Sequence, residues 1–197
     1  MTRHMSEESR REQILTAARQ CFIEQGFHPT RMEDIASTAG LSKGGIYFHF
    51  ESKQKVFDAL VDEEFERSMK FLKEVTAGNA NIAEKMQVLG RHYLEYFSSA
   101  PDAPRFFIVM GEIGLRDAAL KKKLQVMQTA FIEEIARLVE QGIDEGVLRP
   151  VDARAVAALL KALIDGVEGL TALELPIEIE KLIGVGLELV LGGLVKR

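Results

Sequence analysis

The side chains best suited to chemistry fall within residues 42–53, which read Ser-Lys-Gly-Gly-Ile-Tyr-Phe-His-Phe-Glu-Ser-Lys. Their hydroxyl, ammonium, phenol and imidazole groups donate hydrogen bonds of the kind that phosphate oxygens accept. Gly44 and Gly45 stand at the start of a predicted helix, although each glycine costs about 1 kcal/mol relative to alanine inside a helix. Glycine lets a backbone approach a bulky neighbour, and a helix N-terminus attracts anions. The segment is therefore typical of contact with a nucleic-acid backbone or groove.

The elements that position this segment form a helix-turn-helix pattern. A short helix is predicted from Thr30 to Gly40, and a second runs from Ser42, a favourable N-cap, to about His49. Ala36 is small where the two helices must approach each other, and Gly40 can adopt the positive φ of the turn. The same residues could form an exposed polar helix with no partner, but the agreement of cap, small residue, turn glycine and paired glycines favours DNA binding.

Helical periodicity also dominates the rest of the chain, so we predict an all-α fold. Capping boxes are predicted at Ser9 with Glu12 and at Thr30 with Glu33. A linker-like break at residues 76–79 separates a small helical head from a larger helical body. We expect a helix-turn-helix DNA-binding domain over residues 1–54 and a ligand-binding and dimerisation domain over residues 55–197. The predicted helices span about 9–25, 30–39, 42–49, 52–75, 82–98, 104–113, 117–144, 152–173 and 176–194.

Composition excludes several classes of protein. A chain with 47% hydrophobic and 28% charged residues is neither disordered nor collagen-like. The single cysteine, Cys21, cannot form an intrachain disulfide and falls on an apolar helical stripe, so we expect it in the core. The sequence contains no apolar run long enough for a transmembrane helix and no signal-peptide pattern. We therefore expect a cytoplasmic protein that does not enter the membrane.

Charge is distributed unevenly along the chain. The net charge is −5, but residues 1–56 hold 8 basic and 7 acidic side chains. The remaining residues hold 17 basic and 23 acidic side chains. The N-terminal quarter is thus the basic-leaning part, which permits DNA binding there without demonstrating it.

Residues 10–60 resemble the DNA-binding head of the TetR family of bacterial transcriptional regulators. The resemblance rests on Gly26-Phe27, Thr30, Asp34-Ile35-Ala36, Ala39-Gly40-Leu41-Ser42-Lys43-Gly44, Ile46-Tyr47-Phe48-His49-Phe50 and Ser52-Lys53. It implies an all-α homodimer whose three N-terminal helices bind double-stranded operator DNA. It further implies a divergent C-terminal body that binds a small-molecule inducer and dimerises. Family members usually act as repressors, and the resemblance implies no cofactor and no metal.

The resemblance also implies roles for individual residues of the head. Phosphate contacts are expected from Thr30, Tyr47, His49 and Lys53. Groove contacts are expected from Ser42, Lys43, Gly44 and Gly45 on the recognition helix, with Arg31 and Phe48 at the same surface. Among the side chains of the recognition helix only Lys43 donates strongly to guanine edges, so direct base readout is expected to be sparse.

An aromatic cluster in the body is the candidate ligand pocket. The residues assigned to it are Phe65, Tyr93, Tyr96, Phe97, Phe106, Phe107, Met110, Met127 and Phe131. Their apolar character favours a hydrophobic or aromatic ligand or an acyl chain. The alternative is that these side chains simply fill the core.

The last two helices are apolar over more than one face. Residues 155–173 and 178–194 alternate branched aliphatic side chains with glycines that permit close helix approach. We expect this surface to pair two copies of the chain, whereas the alternative is a fully buried helix pair within a monomer. The residues assigned to the dimer interface are Leu159, Leu163, Val167, Leu182, Gly186, Leu187 and Leu189.

Two competing functions follow from the same sequence. An enzyme would need a catalytic constellation, but the four histidines (His4, His28, His49 and His92) are scattered without metal-ligand spacing. No phosphate-loop motif and no pair of nucleophile and base is present either, so we expect no enzyme. A ligand-independent structural or cell-division factor on the same fold remains the alternative, and it would have a fully packed body.

Overall fold

The computed structural model describes residues 6–99 and 102–195, and this part of the chain is helical throughout with no strand beyond one isolated bridge, Leu148 to Val195. The predicted all-α fold is confirmed. The helices are α1 (Glu7–Gln25), α2 (Met32–Thr38), α3 (Lys43–His49), α4 (Lys53–Ala77), α5 (Ile82–Ser99), α6 (Asp102–Gly114), α7 (Ala118–Asp144), α8 (Ala153–Ala172) and α9 (Ile179–Leu194). None of the described helices is both long and apolar enough to cross a membrane.

The two predicted capping boxes are wrong in register. Helix α1 begins earlier than expected because Ser6 is its N-cap, and the hydroxyl of Ser6 accepts a hydrogen bond from the Ser9 amide at 3.1 Å. Helix α2 begins one residue later than expected. There, the carboxylate of Asp34 accepts a hydrogen bond from the backbone N–H of Arg31 at 2.7 Å, which satisfies one free donor of the helix start. The Thr30 hydroxyl is turned inward instead.

The next two helices begin where the sequence predicts, and Ser42 is the predicted N-cap. Ser42 accepts a hydrogen bond from the Gly45 amide, and Ser52 accepts one from the Lys55 amide. Gly40, in the turn between α2 and α3, has the predicted positive φ, at 65°. The local signals for the helix-turn-helix are therefore read correctly from sequence.

One continuous core joins the head to the body. Phe22 of α1, Ile35 of α2 and Ile46 of α3 are fully buried, and Phe57 of α4 and Phe106 of α6 are buried in the same cluster. Burial of each such side chain contributes about 1.5–3 kcal/mol. The core therefore runs across residue 54, where the sequence predicts a domain boundary. Cys21 is buried in this cluster, as predicted.

Helices α4 to α8 form the body, and α9 lies beside α5. A second core cluster packs α4 and α5 against α7 and α8 through Leu72, Ile82, Leu138 and Ala157. A third, smaller cluster joins the end of α7 to the end of α9. Helices α4 and α7 contribute to both the head core and the body core, and α4, which directly follows the candidate DNA-binding segment, ties that segment to the candidate pocket.

Candidate nucleic-acid interface and ligand cavity

Helix α3 is anchored by its apolar side and presents its other side to solvent. Ile46 is fully buried and Phe50, at the end of the helix, is 4% exposed. Tyr47 and Phe48 are 42% and 82% exposed. A Cβ placed on Gly44 would meet no atom within 4 Å, so this glycine faces open space. The exposed side is free to approach a bulky partner.

Lys43, on this exposed side, is held by a carboxylate of the neighbouring helix. Its ammonium lies 2.6 Å from Oε1 of Glu33, and both side chains are well exposed. The hydrogen bond from Lys43 lowers the pKa of Glu33, and the same bond raises the pKa of Lys43. Binding of Lys43 to a nucleic acid would exchange this solvent-exposed partner for an acceptor on the nucleic acid, at little energetic cost.

Two of the predicted phosphate contacts point inward. Thr30 is 1% exposed, and its hydroxyl donates to the carbonyl of Gly26 at 2.7 Å. The ammonium of Lys53 donates to the carbonyls of Phe27 and His28 at 2.5 and 2.9 Å, and to that of Thr30 at 2.7 Å. Their expected placement at the surface has to be corrected, because backbone carbonyls of the α1–α2 loop take the donors of both side chains.

The other predicted DNA-contacting residues lie at or near the surface. Gly45 and His49 are half-buried, and the rings of His49 and Phe48 are 5.1 Å apart. The exposed members of the set are Arg31, Ser42, Lys43, Gly44, Tyr47 and Phe48. This patch, which we call the α3 surface, combines one ammonium, one guanidinium, one phenol and a bare backbone.

A cavity of about 100 Å³ lies between helices α4, α5, α6, α7 and α8. Seven of the nine predicted pocket residues line it, namely Phe65, Tyr93, Tyr96, Phe107, Met110, Met127 and Phe131. Phe106 does not line the cavity, because it points from α6 into the head core, 5.6 Å from the ring of Phe57. Phe97 is also absent from the wall; it is 8% exposed, with its ring 5.2 Å from that of Tyr96. These two assignments are corrected.

Sequence reasoning missed several residues that line the cavity, including most of the polar ones. The residues it missed are Glu64, Ser68, Phe71, His92, Ala103, Leu124, Gln128, Lys161, Ile164 and Glu168. A signal was present in α8, where Lys161 and Glu168 interrupt a largely apolar helix at a spacing of seven residues. Charges on the inner face of an apolar helix need partners or a polar cavity.

Glu168 places a carboxyl group in the cavity wall. It is 9% exposed, and its Oε1 accepts a hydrogen bond from the hydroxyl of Tyr96 at 3.2 Å. Burial raises the pKa of Glu168 to about 7, with Asp165 adding to the shift and Lys161 opposing it. Burial raises the pKa of Tyr96 as well, so its hydroxyl stays protonated and donates.

Lys161 and Gln128 complete the polar lining. Lys161 is 7% exposed and ion-paired with Asp165, and its ammonium lies 5.5 Å from the ring centre of Phe131. The same ammonium is 5.7 Å from the ring centre of Phe107. Gln128 Oε1 is buried and accepts no hydrogen bond from the residues that the structure describes. The cavity is therefore aromatic with isolated polar groups, rather than uniformly apolar.

Glu64 connects the cavity to the head. It lines the cavity from α4, and its Oε2 lies 2.8 Å from Nη1 of Arg19 in α1. Arg67 pairs with the other carboxylate oxygen. The guanidinium of Arg19 also lies 4.8 Å from the ring centre of Phe106, the neighbour of the cavity residue Phe107. A single head residue thus contacts Glu64 in the cavity wall and the residue that precedes Phe107.

Helices α8 and α9 leave apolar side chains exposed. Leu159 and Leu163 of α8 are 55% and 43% exposed, and Leu189 of α9 is 72% exposed. Val185, which sequence reasoning did not select, is 54% exposed one turn before Leu189. The remaining predicted interface residues, Val167, Leu182, Gly186 and Leu187, are half-buried. We call the exposed set of Leu159, Leu163, Val185 and Leu189 the α8–α9 face.

Metal ligation finds no support in the described residues. No group of three or more His, Cys, Asp or Glu residues within them could hold a metal ion, and His4 lies outside the described part of the chain.

Comparison with known proteins matches two family models. Residues 14–60 match the model described as "Bacterial regulatory proteins, tetR family". Residues 89–178 match "BetI-type transcriptional repressor, C-terminal". Together these segments make up more than two thirds of the chain.

Relatives and solved structures agree with those matches. The transcriptional regulator RutR of Escherichia coli is 29% identical over 154 residues, which are 78% of this chain and 71% of RutR. SmeT, the repressor of the Stenotrophomonas maltophilia multidrug efflux pump SmeDEF, superimposes with a TM-score of 0.77 at 26% identity, covering 95% of this chain and 91% of SmeT. A Saccharomonospora viridis regulator solved with choline gives a TM-score of 0.81 at 21% identity, covering 97% of this chain and all of that one, and shows the shared fold.

Proposed function

The chain belongs to the TetR family of bacterial regulatory proteins, which are DNA-binding transcriptional regulators, and we propose that it is a ligand-responsive repressor. In this proposal, a homodimer binds a palindromic operator in the cytoplasm and a small molecule releases it. The observation that carries the proposal is the position of Glu64, which lines the cavity and also pairs with Arg19 of the head. A molecule in the cavity contacts the residue that holds the head in place.

DNA binding is assigned to the α3 surface. Tyr47 and His49 are the candidate phosphate contacts, and Lys43 is the candidate base contact because its ammonium is exposed and can donate to guanine. Gly44 faces open space, so the backbone of α3 can lie against the groove wall. In the dimer, two α3 helices would enter successive major grooves, about 34–36 Å apart or somewhat more.

Dimerisation is assigned to the α8–α9 face. Leu159, Leu163, Val185 and Leu189 expose large aliphatic side chains on neighbouring helices, which a monomer leaves in water. A twofold arrangement would pair this face with its own copy and form a four-helix bundle from two α8 and two α9 helices. Leu182, Gly186 and Leu187 would lie beside that contact rather than at its centre, since they are half-buried within one chain.

The chemistry of the cavity modifies the ligand expected from sequence. Rings and methionines form most of the wall, which fits an apolar or aromatic body. The buried Oε1 of Gln128 requires a hydrogen-bond donor, because an unpaired buried acceptor costs about 1–3 kcal/mol. The carboxyl of Glu168, which accepts one hydrogen bond from Tyr96, can accept another. We infer that the inducer is a small, largely apolar molecule carrying at least one donor group, rather than a plain hydrocarbon.

The alternative function, a ligand-independent structural factor, predicts a fully packed body without a cavity. The cavity between α4 and α8 counts against that alternative.

Sequencing of genomic DNA recovered with the full-length protein, with and without small-molecule extract of the cells, tests the proposal. Recovery of a few sites with inverted symmetry, and their loss when extract is added, is the expected outcome. Recovery of many chromosomal sites that no extract releases would support the structural factor instead.

A further inference from the structure

Lys53, the first residue of α4, turns its side chain back onto the loop that joins α1 to α2. Its ammonium donates to the carbonyl oxygens of Phe27 at 2.5 Å, His28 at 2.9 Å and Thr30 at 2.7 Å. A lysine ammonium has three N–H groups, so each donor has a backbone acceptor. The ammonium also lies 4.5 Å from the ring centre of Phe27.

The loop needs these donors because it follows the end of a helix. The last carbonyls of α1 and those just beyond it have no partner in the helix, and they carry the negative end of the helix dipole. Thr30 satisfies part of this requirement, since its hydroxyl donates to the carbonyl of Gly26 at 2.7 Å and lies 3.3 Å from that of Cys21. Lys53 supplies donors from α4 to three further carbonyls of the loop. Burial in this setting lowers its pKa, and nearby Asp34 opposes the shift.

We propose that Lys53 is a positioning residue, which locks the α1–α2 loop and thereby the helix-turn-helix onto the start of α4, and that it is not a phosphate contact. A phosphate would have to take donors away from three backbone carbonyls, which would then be left without their partners. The proposal rests on the DNA-binding role assigned to the α3 surface.

Polar contacts attach the head to α4 at two places, in addition to the apolar core that they share. Lys53 holds the α1–α2 loop, and Glu64 holds Arg19 in the middle of α1. The two attachment points are about 16 Å apart along the axis of α4, at 1.5 Å per residue. Two bonds to one helix prevent the head from pivoting independently, so a displacement of α4 at the cavity carries the helix-turn-helix with it.

The test measures the affinity of the full-length protein for a duplex selected from randomised DNA, at several salt concentrations. A lost phosphate contact lowers the slope of log affinity against log salt by about 0.9, and twice that in a dimer. Lys53→Met is expected to weaken binding by about tenfold or more at every salt concentration, with the slope unchanged. Lys53→Arg keeps the charge, but a planar guanidinium cannot direct three donors to these carbonyls, so it is expected not to restore affinity.

Two controls separate the possible results. Lys55→Met removes a positive charge from the same end of α4 and is expected to keep the wild-type thermal midpoint, whereas Lys53→Met lowers it. Gly44→Val tests the α3 surface itself, so wild-type affinity in that variant would refute the DNA-binding assignment and not the role of Lys53. A lower salt slope in Lys53→Met, or wild-type affinity in Lys53→Arg, would overturn the proposal. If Lys53→Met does not fold, the DNA affinity of Lys53→Arg alone tests the proposal.

Discussion

The guanidinium of Arg19, in the first helix of the head, lies 2.8 Å from the carboxylate of Glu64 in the wall of the body cavity. The side chains of Arg19 and Glu64 are only 16% and 11% exposed. An ion pair in such a position is sensitive to its surroundings, because removal of Glu64 leaves the charge of Arg19 largely buried without its partner. A ligand that approaches Glu64 therefore acts on the attachment of the head directly, with no long chain of intermediate contacts.

Neutralisation of this pair should be detectable without a ligand. Glu64→Gln is expected to lower the free energy of unfolding by about 1–3 kcal/mol, because Arg19 loses a buried charge partner. Glu63→Gln, a change at the exposed neighbouring position, should leave it within about 0.5 kcal/mol of wild type. Urea unfolding gives these free energies. The coupling energy between Arg19 and Glu64 follows from the same measurement on Arg19→Met, on Glu64→Leu and on the variant that carries both changes. Additive effects in that double-mutant cycle would show that the pair does not link head and body.

Ligand control should pass through the same pair. With the inducer identified from cell extract, Glu64→Gln is expected to reduce the ratio of operator affinities without and with inducer. In the wild type, this coupling is expected to amount to about 1–3 kcal/mol. Bulky substitution at Phe107, which lines the cavity, should also change induction, whereas the sequence-based choice of Phe97 lies behind the wall. Polarisation titrations of operator DNA give both affinities, and unaltered induction in both variants would remove the cavity from the mechanism.

Glu168 should make stability depend on pH. Its pKa is about 7 in the folded protein against 4.5 for the free group, and the groups that act on it are Tyr96, Lys161, Asp165 and Glu64. Because the folded pKa is raised, the stabilisation is complete below about pH 4.5 and is lost as the pH rises through 7. At about 1.4 kcal/mol per pKa unit, the loss is about 3 kcal/mol.

Replacement of Glu168 by glutamine checks this directly. Urea unfolding from pH 4.5 to 8 should show a flatter dependence for Glu168→Gln than for the wild type. Glu66→Gln, at an exposed position of α4, should retain the wild-type dependence. Equal slopes for the wild type and Glu168→Gln would mean that this carboxyl is not buried as the structure describes.

The α8–α9 face should hold two chains together. Leu189→Glu would place a charge in the paired surface and is expected to give monomers, because an unpaired buried charge opposes association. Leu115→Glu is the matched control, since Leu115 is 81% exposed just after α6 and away from this face. Light scattering at micromolar concentration distinguishes the outcomes. A wild-type monomer, or a dimer in Leu189→Glu, would contradict the assignment.

The α3 surface should tolerate a side chain at Gly44 when the protein is free and reject it on DNA. A Cβ there meets no atom within 4 Å, so Gly44→Val should fold. Gly111→Val, at an equally open glycine in α6, provides the same change away from the α3 surface. Circular dichroism and operator titration should show folded protein in both variants, with binding lost only in Gly44→Val.

Features fixed by neighbours in sequence were predicted well. The cap at Ser42, the start of α4 at Ser52, the turn glycine Gly40 and the apolar side of α3 all depend on residues within one or two turns. Helical periodicity likewise located the described helices to within a few residues. The exceptions are the two capping boxes, since Ser6 caps α1 in place of Ser9 and Asp34 binds the Arg31 amide where Glu33 was expected to bind that of Thr30.

Features fixed by distant residues were not predictable from one sequence. The acceptors of Lys53 lie 23 to 26 positions earlier in the chain, and its exposure to DNA was inferred from its position at the end of the segment and from the resemblance. Tyr96 meets Glu168 across 72 positions, so no spacing rule could reveal this contact, although the charges within α8 are visible in the sequence. Phe106 and Phe107 are adjacent in sequence, but consecutive helical positions point in different directions, and only Phe107 lines the cavity.

Genomic DNA selection with the wild-type protein and the Gly44→Val variant in parallel tests the central claim most directly. The account predicts that the wild-type protein enriches a small set of fragments sharing an inverted repeat, and that small-molecule extract of the cells removes them. It predicts no enrichment by Gly44→Val. The same fragments recovered by both proteins, or recovery by the wild type that no extract changes, would contradict a ligand-responsive regulator that reads DNA through α3.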